Sequence, residues 1–262
     1  MSDRRRRQKE LRKAKREAER KQAARQELVR RIGTAVLFGL IVVAIFAVGS
    51  FSGREEGELP GTYEDYRNQP TACGAGTPPP EQLMTFDAPV KQTDITPDSK
   101  VMAILETSCG EIVVELDPAL SPETVNSFVF LARLGFYDGQ VFHRIAKDFV
   151  IQGGDPNANG SGGPGYVIPD EFPPEDFVYE DGVVAMANSG AGSTGSQFFV
   201  VIGDDARHLT NAFNVLGRVV SGEDTLDRIA AVPTRAAPGS VEESLPLETV
   251  YIESVTIRVN GS

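Results

Sequence analysis

The chain has 262 residues, 40% of them hydrophobic, and a formal net charge of −11. That length suggests one domain of ordinary size with additions, not two full domains. Its two His and two Cys have neither helical pairing nor a Cys-x-x-Cys spacing, so zinc chemistry is excluded and no metal or cofactor is expected.

The charge is unevenly distributed. Residues 1–31 carry 14 Lys or Arg against 5 Asp or Glu, a net +9, which leaves −20 on the remainder. The divider is "IGTAVLFGLIVVAIFAVGSFSG", residues 32–53, with no charged side chain. As a helix this run would reach about 33 Å, enough for a hydrocarbon core of about 30 Å. "AVGS" offers small residues for a signal peptidase, but a signal peptide is typically only about 15–30 residues in total, and here 31 precede the apolar run. The reading favoured is a basic cytoplasmic arm (1–31), a single transmembrane helix with membrane lipid as partner (32–53), and an extracytoplasmic remainder, oriented by the positive-inside bias. The arm has no aromatic residue to stack on bases, so nucleic acid is not expected as a partner; a charged helix lying on anionic lipid fits better.

Residues 54–98 read as a linker or collar. "GTPPPEQ" and "ITPDS" are turn and extended-chain material, while Tyr63, Tyr66, Leu83, Met84 and Phe86 could lie against a domain. Cys73 and Cys109 are the only thiols and fall on the same side of the apolar run. Both adjoin glycine-containing turns, so a Cys73–Cys109 disulfide pinning the collar is expected.

From residue 99 the pattern changes to short apolar runs separated by turns. "VMAILET" and "EIVVEL" flank "SCG" as a hairpin would. "SPETVNSFVFLARLGF" reads as a helix with Ser121 as N-cap, Pro122 at the first position and Gly135 as the stop. "VFHRI", "FVIQG", "VVAMAN", "QFFVVI" and "NVLGRVV" follow as strands, then a short helix in "SGEDTLDRIAAV". "VYIESVTIRV" alternates with one slip, as a half-buried strand with a bulge does. Many short strands and few helices point to a mainly β fold with an antiparallel, closed sheet over 99–262.

Two ready readings of the motifs fail. The glycine run 153–165 lacks the following helix and the Lys-Ser or Lys-Thr of a phosphate loop, because Pro156, Pro164 and Pro169 break it. "NGSGG" and "TGSQ" miss the Gly-x-Ser-x-Gly elbow of a serine hydrolase. What remains is apolar material around one fixed cation, Arg144.

The blocks "GFYDGQVFHRIAKDFVIQGGD", "MANSGAGSTGSQFFV" and "HLTNAFNVLGRV", in that order, resemble the cyclophilin family of peptidyl-prolyl cis–trans isomerases, from about Val101 to Val259. The resemblance implies a closed eight-stranded antiparallel β-barrel capped by two α-helices, with the substrate groove on the outside of one sheet. It puts the catalytic arginine at Arg144, the proline-pocket aromatic at Phe149 and the backbone-holding glutamine at Gln152. It further implies substrate contacts from Val150, Ala187, Asn188, Gln197, Phe199, His208, Leu209 and Phe213. Two positions depart from the family pattern: His208 stands where Trp is usual and Phe213 where His or Tyr is common. The pocket stays apolar, and the implied cyclosporin binding is weakened.

The activity so implied is isomerisation of X–Pro bonds in exported polypeptides, membrane-anchored and needing no cofactor. The alternative is a proline-binding chaperone or scaffold module with little turnover.

Overall fold

The computed structural model describes residues 61–237 and 239–260. β1 (Lys100–Thr107) and β2 (Gly110–Leu116) form the expected hairpin, with Ser108 and Cys109 at its turn. α2 (Pro122–Arg133) follows; a short α1 (Tyr63–Asn68) precedes it in the collar. The expected strand runs become β3 (Arg144–Ala146), β4 (Val150–Gly153), β5 (Val183–Met186), β6 (Phe198–Val201) and β7 (Val215–Ser221). After α3 (Glu223–Ala230) come a small hairpin, β8 (Thr234–Ala236) and β9 (Glu243–Pro246), and finally β10 (Ile252–Asn260).

Eight strands make one sheet in the order β10-β1-β2-β7-β5-β6-β4-β3, with every pair antiparallel. The slip expected in the last strand is a bulge: Glu106 pairs with Ser254 and Thr107 with Ile252, leaving Glu253 over. β4, β5 and β6 are apolar on both faces because both are covered. On one face Ile151, Met186, Phe198 and Val200 pack against Phe128 and Val129 of α2. On the other, Val150, Ala185, Phe199 and Val201 pack with Phe213, Val215 and Tyr179. That second apolar face carries the site.

The α2 cap departs from expectation. Ser121 makes no capping hydrogen bond; instead the Glu171 carboxylate accepts from the backbone N–H groups of Glu123 and Thr124 at 3.0 and 2.8 Å. A full negative charge at a helix N-terminus serves the same orphan donors and complements the dipole. Pro122 and Gly135 act as the sequence suggests, with Gly135 at φ 72°.

Two larger expectations need correction. The sheet is not a closed barrel but an open, curled one, with β3 and β10 as its edges. Residues 139–142 cross the gap, where Gly139 and Phe142 donate to the carbonyls of Ile252 and Val250 and Val141 makes an isolated bridge to Tyr251. That contact is too short to form a ladder, and the neighbouring carbonyls are served from outside: Tyr63 Oη donates to the Gly139 carbonyl at 2.6 Å and Tyr66 Oη to the His143 carbonyl at 3.1 Å.

The membrane-anchored form is likewise corrected. Among the described residues no helix is long and apolar enough to cross a membrane. The longest, α2, has 12 residues and spans about 18 Å, well short of a bilayer core of about 30 Å. The run 32–53 lies outside the described residues. The transmembrane helix, the lipid partner and the single-pass placement with an extracytoplasmic domain are therefore withdrawn.

The collar is tied into the domain. α1 opens with a capping box in which Thr62 and Asp65 serve each other's backbone. Tyr63 and Tyr66 bury against Val141 and Tyr251 across the seam, and Thr71 bridges to Thr249. Cys73 is joined by a disulfide to Cys109 at the β1–β2 turn, closing a loop of 36 residues. In the chain-entropy picture such a loop restricts the unfolded state by about 4 kcal/mol. The Cys73→Ser, Cys109→Ser double variant should accordingly unfold at lower urea, with a loss of about 2–4 kcal/mol read by denaturant titration. An unchanged midpoint would mean that packing alone holds the collar.

Candidate active site

Antiparallel register assembles the site across three strands. Arg144 on β3 stands opposite Gln152 on β4, and Gln152 stands opposite Phe199 on β6. Directly opposed residues share a face, so one cation, one amide and one aromatic ring line up across the second apolar face. Val150, Phe199 and Phe213 are buried there, with the partly exposed Phe149, Leu209 and Ala187 packed around them. Phe213 meets Phe199 edge-on at 5.5 Å, and Tyr179 Oη donates to the Phe213 carbonyl at 2.8 Å.

Arg144 is only 3% exposed. Burial pulls its pKa below the usual arginine value, and the charge of Glu242 opposes that. Its Nε and Nη2 donate to Glu242 Oε1 at 3.1 and 2.6 Å, and Nη1 donates to Gln152 Oε1 at 3.1 Å. Its Cζ lies 5.3 Å from the centroid of the Phe149 ring, within cation–π range. Gln152 Nε2 donates onward to Gln197 Oε1 at 3.0 Å, and Gln197 Nε2 to the Gly162 carbonyl at 3.0 Å. A single hydrogen-bonded line thus runs from Glu242 through Arg144, Gln152 and Gln197 into the glycine-rich loop.

That loop is a shaped wall. Asp155 accepts from the backbone N–H groups of Asn157, Asn159 and Gly160, and Gly154 at φ 80° packs so tightly that a Cβ would sit 2.5 Å from the Ser196 carbonyl. A cavity of about 680 Å3 opens between this loop and the 187–197 segment, lined by Gln152, Gln197, Ala187, Asn188, Gly162 and Tyr166 among others.

The structure therefore brings together Arg144, Phe149, Val150, Gln152, Ala187, Gln197, Phe199, Leu209 and Phe213. Asn188 borders the cavity too, and its carboxamide donates to the Ala212 carbonyl and accepts from Gly190 N–H. His208 is exposed at the end of a 3-10 turn and is not part of the apolar cluster. Cys73 and Cys109 lie in the collar clasp and not in the site. Sequence reasoning missed Glu242 and Tyr179; nothing local in "GSVEESLP" marks Glu242 as a partner of a residue 98 positions away. Among the described residues no group of acidic, His or Cys side chains could hold a metal.

Comparison with known proteins agrees with this arrangement. The family model described as "Cyclophilin type peptidyl-prolyl cis-trans isomerase/CLD" matches residues 102–257. Peptidyl-prolyl cis-trans isomerase B of Streptomyces anulatus is 41% identical over 178 residues, 61% of this chain and 97% of that protein. The probable peptidyl-prolyl cis-trans isomerase A of Mycobacterium leprae is 40% identical over 170 residues, 59% of this chain and 91% of that protein. Among solved structures, a Cryptosporidium parvum cyclophilin type peptidyl-prolyl cis-trans isomerase in the presence of the dipeptide ala-pro superposes with a TM-score of 0.54 and 28% identity, covering 61% of this chain and 99% of that one. The chain belongs to the cyclophilin-type peptidyl-prolyl cis–trans isomerases and is an enzyme of that class.

Next to Arg144, His143 is wholly buried, and burial pulls its pKa down to about 4, with Arg144 adding to the fall and Asp155 opposing it. Its unfolded value is about 6.5. Between those values the unfolded chain binds the extra proton, so stability falls as pH drops from about 6.5 to about 4 and is unaffected by this group above that window. Urea midpoints measured from pH 7 to 4.5 should decline, and the decline should be shallower in His143→Asn. Parallel curves for the two proteins would remove His143 as the source.

Proposed function

We propose that Arg144 catalyses rotation about X–Pro bonds by stabilising the twisted imide above an apolar proline pocket. A peptide bond resists rotation by about 18–20 kcal/mol because its nitrogen shares a lone pair with the carbonyl. Cis and trans X–Pro forms differ by only about 0.5–1 kcal/mol, so the catalyst has only the barrier to lower. At the twisted geometry the lone pair localises on nitrogen, and a cationic donor aimed there binds the transition state better than either planar form. Arginine suits this role because it stays protonated and presents a rigid fork of donors.

The observation that carries this reading is the near-complete burial of a guanidinium on an apolar sheet face, opposite an amide and beside an aromatic cluster. Phe149, Val150, Phe199, Leu209 and Phe213 would grip the proline ring, with His208 at the rim. Gln152, Gln197, Ala187 and Asn188 would hold the neighbouring peptide groups along the cavity wall. No nucleophile takes part, since no covalent bond is made or broken. The catalytic unit so defined is residues 99–262 with the collar of 54–98 as its support, and its substrates are proline-containing polypeptides.

Arg144→Ala should lower kcat/KM on a short X–Pro peptide by about ten- to a thousandfold, equivalent to about 1.4–4 kcal/mol of transition-state stabilisation. Arg144→Lys should recover little, because a point charge on a flexible stem does not reproduce the fork. Full activity in the alanine variant would overturn the assignment.

A further inference from the structure

The nearest polar partner of Arg144 comes from far along the chain. Glu242 immediately precedes β9 in the small β8–β9 hairpin, which stands apart from the main sheet and lies along the open edge at β3. One carboxylate oxygen, Oε1, receives both Nε–H and Nη2–H of Arg144. With Gln152 on Nη1 and the Phe149 ring beside Cζ, the guanidinium is fixed in its plane and flanked by an aromatic ring.

The hairpin does not need Glu242 for its own fold. Ser244 and Leu245 anchor it by burial, Thr234 Oγ1 donates to the Glu243 carbonyl at 3.0 Å, and Leu247 N–H donates to the Pro233 carbonyl at 2.8 Å. Glu242 itself is 24% exposed on its side chain, and its backbone N–H is held by Ser240 Oγ at 3.0 Å. A partly exposed acid aimed at a buried cation serves that cation more than the element bearing it.

We infer that Glu242 is a positioning residue for the isomerisation: it fixes the Arg144 fork in one orientation and balances its buried charge. This rests on Arg144 being the catalytic group. A long, flexible side chain delivers its donors to a transient geometry only if its rotamer is already set, and a donor that must reorient during rotation stabilises the twisted state less. The loss on removing Glu242 should therefore appear in kcat, while ground-state binding through the apolar pocket is kept.

Steady-state kinetics on an X–Pro peptide, with thermal unfolding alongside, tests this. Glu242→Ala should lower kcat about tenfold with KM within about twofold, and Glu242→Gln, whose amide oxygen can still accept both hydrogen bonds, should lose only about threefold. Added to Arg144→Ala, Glu242→Ala should cost nothing further, because its effect passes through the guanidinium. Should the alanine variant not fold, the glutamine variant and its combination with Arg144→Ala carry the same test. Unchanged kcat, a rise in kcat/KM, a loss confined to KM, or a loss fully additive to Arg144→Ala would each overturn the inference. If Arg144→Ala is impaired and Glu242→Ala is not, the inference alone falls. If Arg144→Ala keeps full activity, the catalytic assignment falls and takes the inference with it.

Discussion

A guanidinium held almost out of water needs partners, and the arrangement of the site follows from meeting that need. Taking an ion out of water costs several kcal/mol unless charge and hydrogen bonds are supplied in good geometry. Arg144 draws its partners from two parts of the chain: its own hairpin gives Gln152 across the β3–β4 ladder and Phe149 at the turn, and a hairpin outside the sheet gives Glu242. The β3–β4 register sets the first, the tight turn the second, and the packing of β9 against β3 the third. On the proposed mechanism, the same burial that makes the charge expensive would make it effective, since a donor among apolar side chains acts in a low effective dielectric.

The open edge of the sheet is the second constraint, because unpaired strand edges invite unwanted pairing. Here the edge at β3 is covered twice, by the β8–β9 hairpin and by the collar. Tyr63 and Tyr66 reach over the seam to the carbonyls of Gly139 and His143, and Thr249 Oγ1 returns a hydrogen bond to the Tyr66 carbonyl. Burial pushes the Tyr63 phenol up to about 12 and Tyr66 higher still, so both remain donors across the physiological range. His143 directly precedes Arg144, so the collar bears on the backbone of the strand that carries Arg144, and the disulfide to the β1–β2 turn fastens the collar just beyond α1.

Where local chemistry decides, the sequence could be read directly. Pro122 and Gly135 delimit α2, "SCG" turns the first hairpin, and the slip in "VYIESVTIRV" is the bulge at Glu106 and Thr107. The resemblance names Arg144, Gln152 and Phe199, but their alignment across β3, β4 and β6 comes from strand pairing, which spacing does not state. Ser121 was the obvious cap, yet Glu171, 48 residues beyond Glu123, does that work; no local rule reports a partner so distant. Glu242 was missed for the same reason. Sheet closure was overstated because strand count says nothing of whether edges meet. Nor does the motif around Asn188 report that its carboxamide also bonds to Ala212 and Gly190.

The central claim is that Arg144 binds the twisted imide more strongly than the planar ones. The most direct measurement is NMR exchange spectroscopy on an X–Pro peptide, which reads the Kd and the cis–trans exchange rate of the bound peptide in one experiment, for the wild-type protein and for Arg144→Ala. The account predicts a Kd within about threefold of wild type and an exchange rate at least about tenfold lower, the mark of an interaction made only in the transition state. Loss of affinity and rate in parallel, with the exchange rate of the bound peptide unchanged, would contradict it.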